Sequence, residues 1–102
     1  MLPDVSYLIL NYNPAGEAVA RDVLAATLAA FYERKSKNLH AEVFLCDQGS
    51  PDFHRAWLLE RQKQYGFSSL LLNRNIGISR ALNLFIRICK SPVVALITSD
   101  VL

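Results

Sequence analysis

The sequence predicts an α/β fold: a four-stranded parallel sheet between helices, three layers deep, with three helices shared between its faces. Three observations carry this expectation. Four short apolar runs alternate with three segments of helical period along the chain. Such alternation implies parallel strands joined by right-handed crossovers. Turn-forming Gly, Pro, Asn and Asp residues punctuate the junctions between segments. Hydrophobic residues make up 52% of the 102 residues, enough for one core and one domain spanning residues 1–102.

The first strand is read from "YLILNYN", a continuous apolar run as expected of a strand covered on both faces. The first helix follows in "AGEAVARDVLAATLAAFYERKSKN". Val19, Val23, Leu24, Thr27, Leu28 and Phe31 recur there at helical spacing. Glu17 and Asp22 lie toward its start and Arg34 and Lys35 at its end, matching the helix dipole. "EVFLCD" is the second strand. Ser50 is the expected N-cap of the next helix and Pro51 its first residue. That helix runs through Trp57 and Leu58 to about Tyr65, where Gly66 ends it in a left-handed conformation. "SSLLLN" is the third strand. Gly77 opens a third helix with Ala81, Leu82, Phe85, Ile86 and Cys89 inward, and Pro92 prevents its continuation. "VVALITSD" is the fourth strand. The whole is Rossmann-like, and such sheets bind ligands at the carboxyl ends of their strands, near the reversal of strand order.

Composition narrows the function. The net charge is +2 and the pI near 8.7, and only Arg34, Lys35 and Lys37 cluster. No nucleic-acid partner is expected from so mild and scattered a charge. Cys46 and Cys89 sit within apolar patterns and are expected as buried, reduced thiols, with a disulfide as the minor alternative; reduced thiols suit a reducing, cytoplasmic compartment. No apolar run approaches the ~20 residues of a membrane span, and no signal peptide is recognisable. A phosphate-binding Gly-x-x-x-x-Gly-Lys-Ser/Thr loop, a dinucleotide fingerprint, a Gly-x-Ser-x-Gly elbow and paired Cys-x-x-Cys ligands are all missing.

The strand ends concentrate polar groups. The first ends in Asn11, Tyr12 and Asn13, and the second in Asp47, followed by Gln48, Gly49 and Ser50. Asn73, Arg74, Asn75 and Gly77 follow the third, and Thr98, Ser99 and Asp100 close the fourth. Asp47 alone reads either as a turn-holding residue or as a ligand acceptor. Tyr12 reads as a packing residue or as a ring on which a base stacks. Asn75, Asn83 and Asp100 are equally open between surface and site. His40 and His54 have no metal-like spacing and are expected at the surface or in turns.

Four blocks together resemble family 2 glycosyltransferases of the GT-A fold. "LILNYN" resembles their opening strand, and "FLCDQGSPD" their Asp-Asp-Gly-Ser-x-Asp block. "NRNIGISRALN" resembles their Asn-x-Gly-x-x-x-Ala-x-Asn block, and "ALITSD" the strand entering their Asp-x-Asp metal motif. The resemblance implies that the chain is the N-terminal, nucleotide-binding half of such an enzyme, a truncated GT-A fold. It implies a nucleotide-diphospho-sugar donor and transfer of the sugar to an acceptor hydroxyl. It places Tyr12, Asn13, Asp47, Gln48, Gly77, Asn83 and Ser99 at the nucleotide. Asp47 would accept a hydrogen bond from a base such as uracil or thymine. Asp100 would help hold a divalent metal, manganese or magnesium. The chain departs from the pattern in Gln48, which stands for a second acid, and in Thr98, which stands for the first acid of Asp-x-Asp. Leu82 lies where many members carry Arg. The part of the family that carries the catalytic base and acceptor pocket follows the metal motif, so this chain by itself is expected to be inactive. The full-length protein is expected in the cytoplasm or at the cytoplasmic face of a membrane. The competing readings are a degenerate module that self-associates through an exposed sheet edge or apolar face, and a nucleotidyltransferase without its Gly-rich basic loop.

Overall fold

A computed structural model describes residues 2–35 and 37–98. The element order is β1 (Val5–Asn11), α1 (Ala18–Arg34), β2 (Ala41–Gln48), α2 (Asp52–Tyr65), β3 (Ser68–Leu72), α3 (Ile78–Ile88) and β4 (Val94–Thr98). The four strands form one sheet in the order β3-β2-β1-β4. Every pairing is parallel, with Asn11 opposite Asp47 and Gln48 opposite Leu72. The expected Rossmann-like, three-layer α/β architecture is therefore present.

The layers follow from strand periodicity. Alternate residues of a strand face opposite sides. Ile9 and Leu45 meet Leu24 and Leu28 of α1, Leu58 of α2, and Phe67 on one face. Leu8, Leu10 and Cys46 meet Ala81 and Phe85 of α3 on the other. The chain moves outward from β1 to β3 and then returns across the sheet to β4. A right-handed connection in the reverse direction has to cross the opposite face. This puts α3 alone on its side and places the reversal of strand order between β1 and β4.

Helix ends and faces differ from the sequence expectations in detail. The helix α2 begins one residue late: Pro51 is its N-cap, and the Pro51 carbonyl accepts from the N–H groups of His54 and Arg55 at 3.0 and 3.1 Å. Ser50 makes no cap, because its hydroxyl is engaged elsewhere. Gly66 ends α2 with φ 84°, as expected. The buried stripe of α1 narrows to Leu24, Thr27 and Leu28, with Val23 and Phe31 at its margins. Val19 is 74% exposed, since five residues of helix turn it roughly 140° away from Leu24. On α3, Ala81 and Phe85 are buried, while Ile86 is exposed about 100° around from Phe85. Cys46 is buried and Cys89 only partly so, and both are free thiols. Burial first, and the neighbouring Asp47 charge second, push the Cys46 thiol up to about 11, which keeps it protonated and inert. Among the described residues no helix is long and apolar enough to cross a membrane.

Candidate functional site at the carboxyl ends of the strands

The strand ends are locked together by a buried carboxylate. Asp47, near the end of β2, is fully buried. Its Oδ1 accepts from Asn11 Nδ2 of β1 at 3.0 Å and from the Ser50 hydroxyl at 2.5 Å. Its Oδ2 accepts from the Ser50 N–H and from Arg55 Nε, both at 3.2 Å. Arg55 also donates through Nη2 to the carbonyl of Leu72 at the end of β3. Asp47 and Arg55 together therefore tie three strand ends to the first turn of α2. A buried charge is tolerated where it is paired and fully hydrogen-bonded. The sequence expectation that Asp47 accepts from a base meets two oxygens already committed to protein donors.

The first loop is held from both sides. The Asn13 N–H donates to the Ser50 hydroxyl at 3.2 Å. Its side-chain Oδ1 accepts from the Glu17 N–H at 2.9 Å, and its Nδ2 donates to the Glu17 carbonyl at 3.0 Å. Asn13 thus shapes the turn into α1. Tyr12 is 50% exposed and has no ring or hydrogen-bond partner among the described residues. Its ring is open to a ligand.

The second and third loops are pressed against each other. Gln48 is 4% exposed, and its Oε1 accepts from the Ile76 N–H at 3.0 Å. Gly49 has φ +83°, and a Cβ there would lie 2.8 Å from the Cα of Arg74. Glycine is needed at this position both for its conformation and for the close approach of the third loop. The Gly77 N–H donates to Asn75 Oδ1 at 2.8 Å, and Gly77 itself caps α3 with φ 85°.

Tyr12, Asn13, Asp47, Gln48 and Gly77 therefore reach one edge of the sheet. Asn83 lies on the exposed surface of α3, five residues and about 7.5 Å beyond its first residue. Ser99 and Asp100 lie outside the described residues. No group of three His, Cys, Asp or Glu side chains among the described residues is arranged to hold a metal. A groove of about 620 Å³ lies elsewhere, between α1 and Ile97 of β4, and none of these site residues lines it.

His54 corrects a sequence expectation. It is buried, not at the surface, with its ring stacked on Trp57 at 5.8 Å between centroids. Its Nε2 is 2.9 Å from Asn11 Nδ2. Asp47 can only accept from that same amide nitrogen, so Asn11 donates one hydrogen to each partner. His54 Nε2 is then an acceptor, and its proton sits on Nδ1, which has no partner. One signal in the sequence marks this burial: His54 and Leu58 are four residues apart and share the inner helical face. Arg55 was also missed, because its partners are brought in by β2 and β3.

Burial holds the His54 pKa below its ordinary value, with the Asp47 charge opposing and the Arg21 charge reinforcing the shift. The unfolded chain then binds a proton near pH 6.5 that the folded chain resists. Stability from this group is present above about pH 6.5 and falls as the pH drops from there toward the folded pKa. Urea unfolding at pH 7.5 and 5.5 should show this loss, and His54→Gln should flatten it. Equal slopes in both proteins would dismiss the effect.

The model for glycosyl transferase family 2 matches residues 6–102. No curated protein matches the chain. Among solved structures, it is similar to the mannosyltransferase PcManGT from Pyrobaculum calidifontis, described in complex with GDP-Man and Mn2+, with a TM-score of 0.70 and 20% identity. The match covers 98% of this chain and 28% of that one, so the chain spans under a third of that protein's length. The likeness is one of fold, whereas the family model extends over nearly the whole sequence. The chain belongs to glycosyl transferase family 2.

Proposed function

We propose that the strand-end edge of the sheet holds the nucleoside diphosphate of a sugar donor, as the donor-binding part of an enzyme that transfers the sugar to an acceptor hydroxyl. The observation that carries this reading is the meeting of the first three loops on one sheet edge beside the reversal of strand order in a family 2 chain. Ligands of parallel α/β sheets bind there. The exposed Tyr12 ring offers a stacking surface, Asn13 and Asp47 hold the loop geometry, and Gln48 and Gly77 line the β2 and β3 sides. The similar mannosyltransferase, described with GDP-Man and Mn2+, lends support to both a nucleotide-sugar ligand and a divalent ion.

The described residues offer no ready metal cage, so the metal part of the proposal rests on Asp100, with Ser99 beside it. A hard divalent cation, manganese or magnesium, suits an oxygen donor and a diphosphate. Isothermal titration with UDP, GDP and dTDP, with and without manganese, tests the reading. Binding with a dissociation constant on the order of millimolar or tighter is expected for at least one nucleotide, and manganese should strengthen it. Heats indistinguishable from dilution for every nucleotide would remove the donor site.

A further inference from the structure

The strand β4 is an unprotected edge of the sheet. It stands last in the order β3-β2-β1-β4, and among the described residues only β1 pairs with it. The Ser6 N–H donates to the Val93 carbonyl at 2.8 Å, so Val93, Ala95 and Ile97 turn their backbone groups toward β1. Successive residues of a strand present their N–H and C=O groups to opposite sides. Val94, Leu96 and Thr98 therefore turn theirs to the open edge. Natural edges are blunted by charges or proline, yet this strand reads Val-Ala-Leu-Ile-Thr and carries neither. The other edge is braced by α2. Arg55 donates to the Leu72 carbonyl of β3, and Gln62 accepts from the Ser69 hydroxyl at 2.5 Å. Side chains add to the contrast. The helix α3 packs over β1, β2 and β3 through Leu8, Leu10, Phe44, Leu70 and Leu72. On that same face Val94 and Leu96 of β4 stay 37% and 40% exposed. On the opposite face, Ile97, Tyr7 and Phe31 line the groove of about 620 Å³ beside α1, with Arg34 and Lys35 from the end of that helix.

We propose that the β4 edge takes a second copy of this chain, its β4 strand antiparallel to the first about a two-fold axis through Leu96. Leu96 then pairs with its own copy, and Val94 with Thr98 of the other copy. Every outward residue thereby exchanges both of its backbone hydrogen bonds. The same register sets Ala95 opposite Ile97 on the α1 face, a small side chain against a large one. Charge selects this occupant. The axis stands normal to the sheet, so the two α1 helices lie on one side of it and run in opposite directions. The basic end of each, Arg34 and Lys35, then lies toward the acidic start of the other, Glu17 and Asp22. Glu17, Asp22 and Arg34 are all exposed, and opposite charges across an interface steer encounter and fix register. The interface is isologous, so it closes at two copies and uses up the edge. The carboxyl ends of the strands point in opposite directions in the two copies, which leaves both proposed donor edges open. The inference does not depend on the donor reading.

Sedimentation equilibrium of the chain tests this. The mass should rise from 11.5 kDa to twice that value, with a dissociation constant on the order of 100 μM or tighter. Leu96→Lys sets two like charges opposite each other on the axis. It should leave the chain monomeric where the wild type is dimeric, with an unchanged circular dichroism spectrum. Leu96→Pro removes an outward N–H but no bond to β1, and it should do the same. Arg34→Glu and Asp22→Arg should each weaken the dimer by at least about twofold. An equimolar mixture of these two variants should recover it, because the reversed end of one meets the reversed start of the other. A wild-type chain that stays monomeric would overturn the proposal and leave the edge to a different polypeptide. A dimer that persists in Leu96→Lys, or a mixture without recovery, would overturn it as well. Should either Leu96 variant fail to fold, the charge-reversed pair decides the question.

Discussion

Replacing Asp47 by alanine should cost about 3–5 kcal/mol of folding stability, the range for removing one partner of a buried ion pair. The carboxylate accepts four hydrogen bonds, from Asn11, from Ser50 twice and from Arg55. Its loss strands the Arg55 guanidinium, whose side chain is only 20% exposed, and leaves neutral donors unmatched. Each unmatched buried donor adds a desolvation penalty of about 1–3 kcal/mol. Asn11 and Arg55 then no longer draw β1, β2 and the first turn of α2 together. Asp47→Asn should be milder, since it keeps the shape and one acceptor oxygen but turns an N–H pair toward protein donors. For a domain whose total stability is roughly 5–15 kcal/mol, the alanine variant should lose between about a fifth and the whole of it. Urea denaturation followed by circular dichroism measures the change. A loss below about 1 kcal/mol would show that the carboxylate is not the hub of the strand ends.

Gly49→Ala is the second large expected effect, at about 2–4 kcal/mol from backbone conformation and overpacking combined. The residue has φ +83°, and its new Cβ would meet backbone of the third loop, at 2.8 Å from Arg74 Cα, which cannot swing aside as a flexible side chain does. Gly77→Ala meets no such contact, since nothing lies within 4 Å of the added Cβ. Its cost is conformational alone: φ 85° with ψ 162° is a region almost reserved for glycine, at about 1–3 kcal/mol. Thermal unfolding measures both variants, since each kcal/mol lowers Tm by about 4–8 °C in a chain of this size. A Gly49→Ala loss below about 1 kcal/mol would mean that the contact between Gly49 and Arg74 is easily relieved. A larger drop for Gly49→Ala should come with loss of the Gln48–Ile76 tether, because both contacts brace the same pair of loops.

The sequence by itself determined the fold and its edge. Continuous apolar runs, helical spacing, Gly66 and Gly77 act over a few residues, and their order leaves a parallel sheet with crossovers as the solution. The four motif blocks marked the family, and most of the polar strand ends came to one edge because parallel strands all deliver their carboxyl ends to the same side. Tertiary structure alone decided what each polar group does there. Ser50 looked like a helix cap by local rule, yet its hydroxyl is spent on Asp47 and Asn13. His54 looked like a surface residue, yet it is buried against Asn11 and Trp57. Asp47 and Gln48 looked like a pair, yet the pleat sends them to opposite faces. Only the assembled sheet brings Asn11 within reach of Asp47 and Ile76 within reach of Gln48. A carboxylate or amide accepts from whichever donors lie nearest in space, and the two that join separate elements here, Ile76 to Gln48 and Asn11 to Asp47, come from 28 and 36 residues away in the chain.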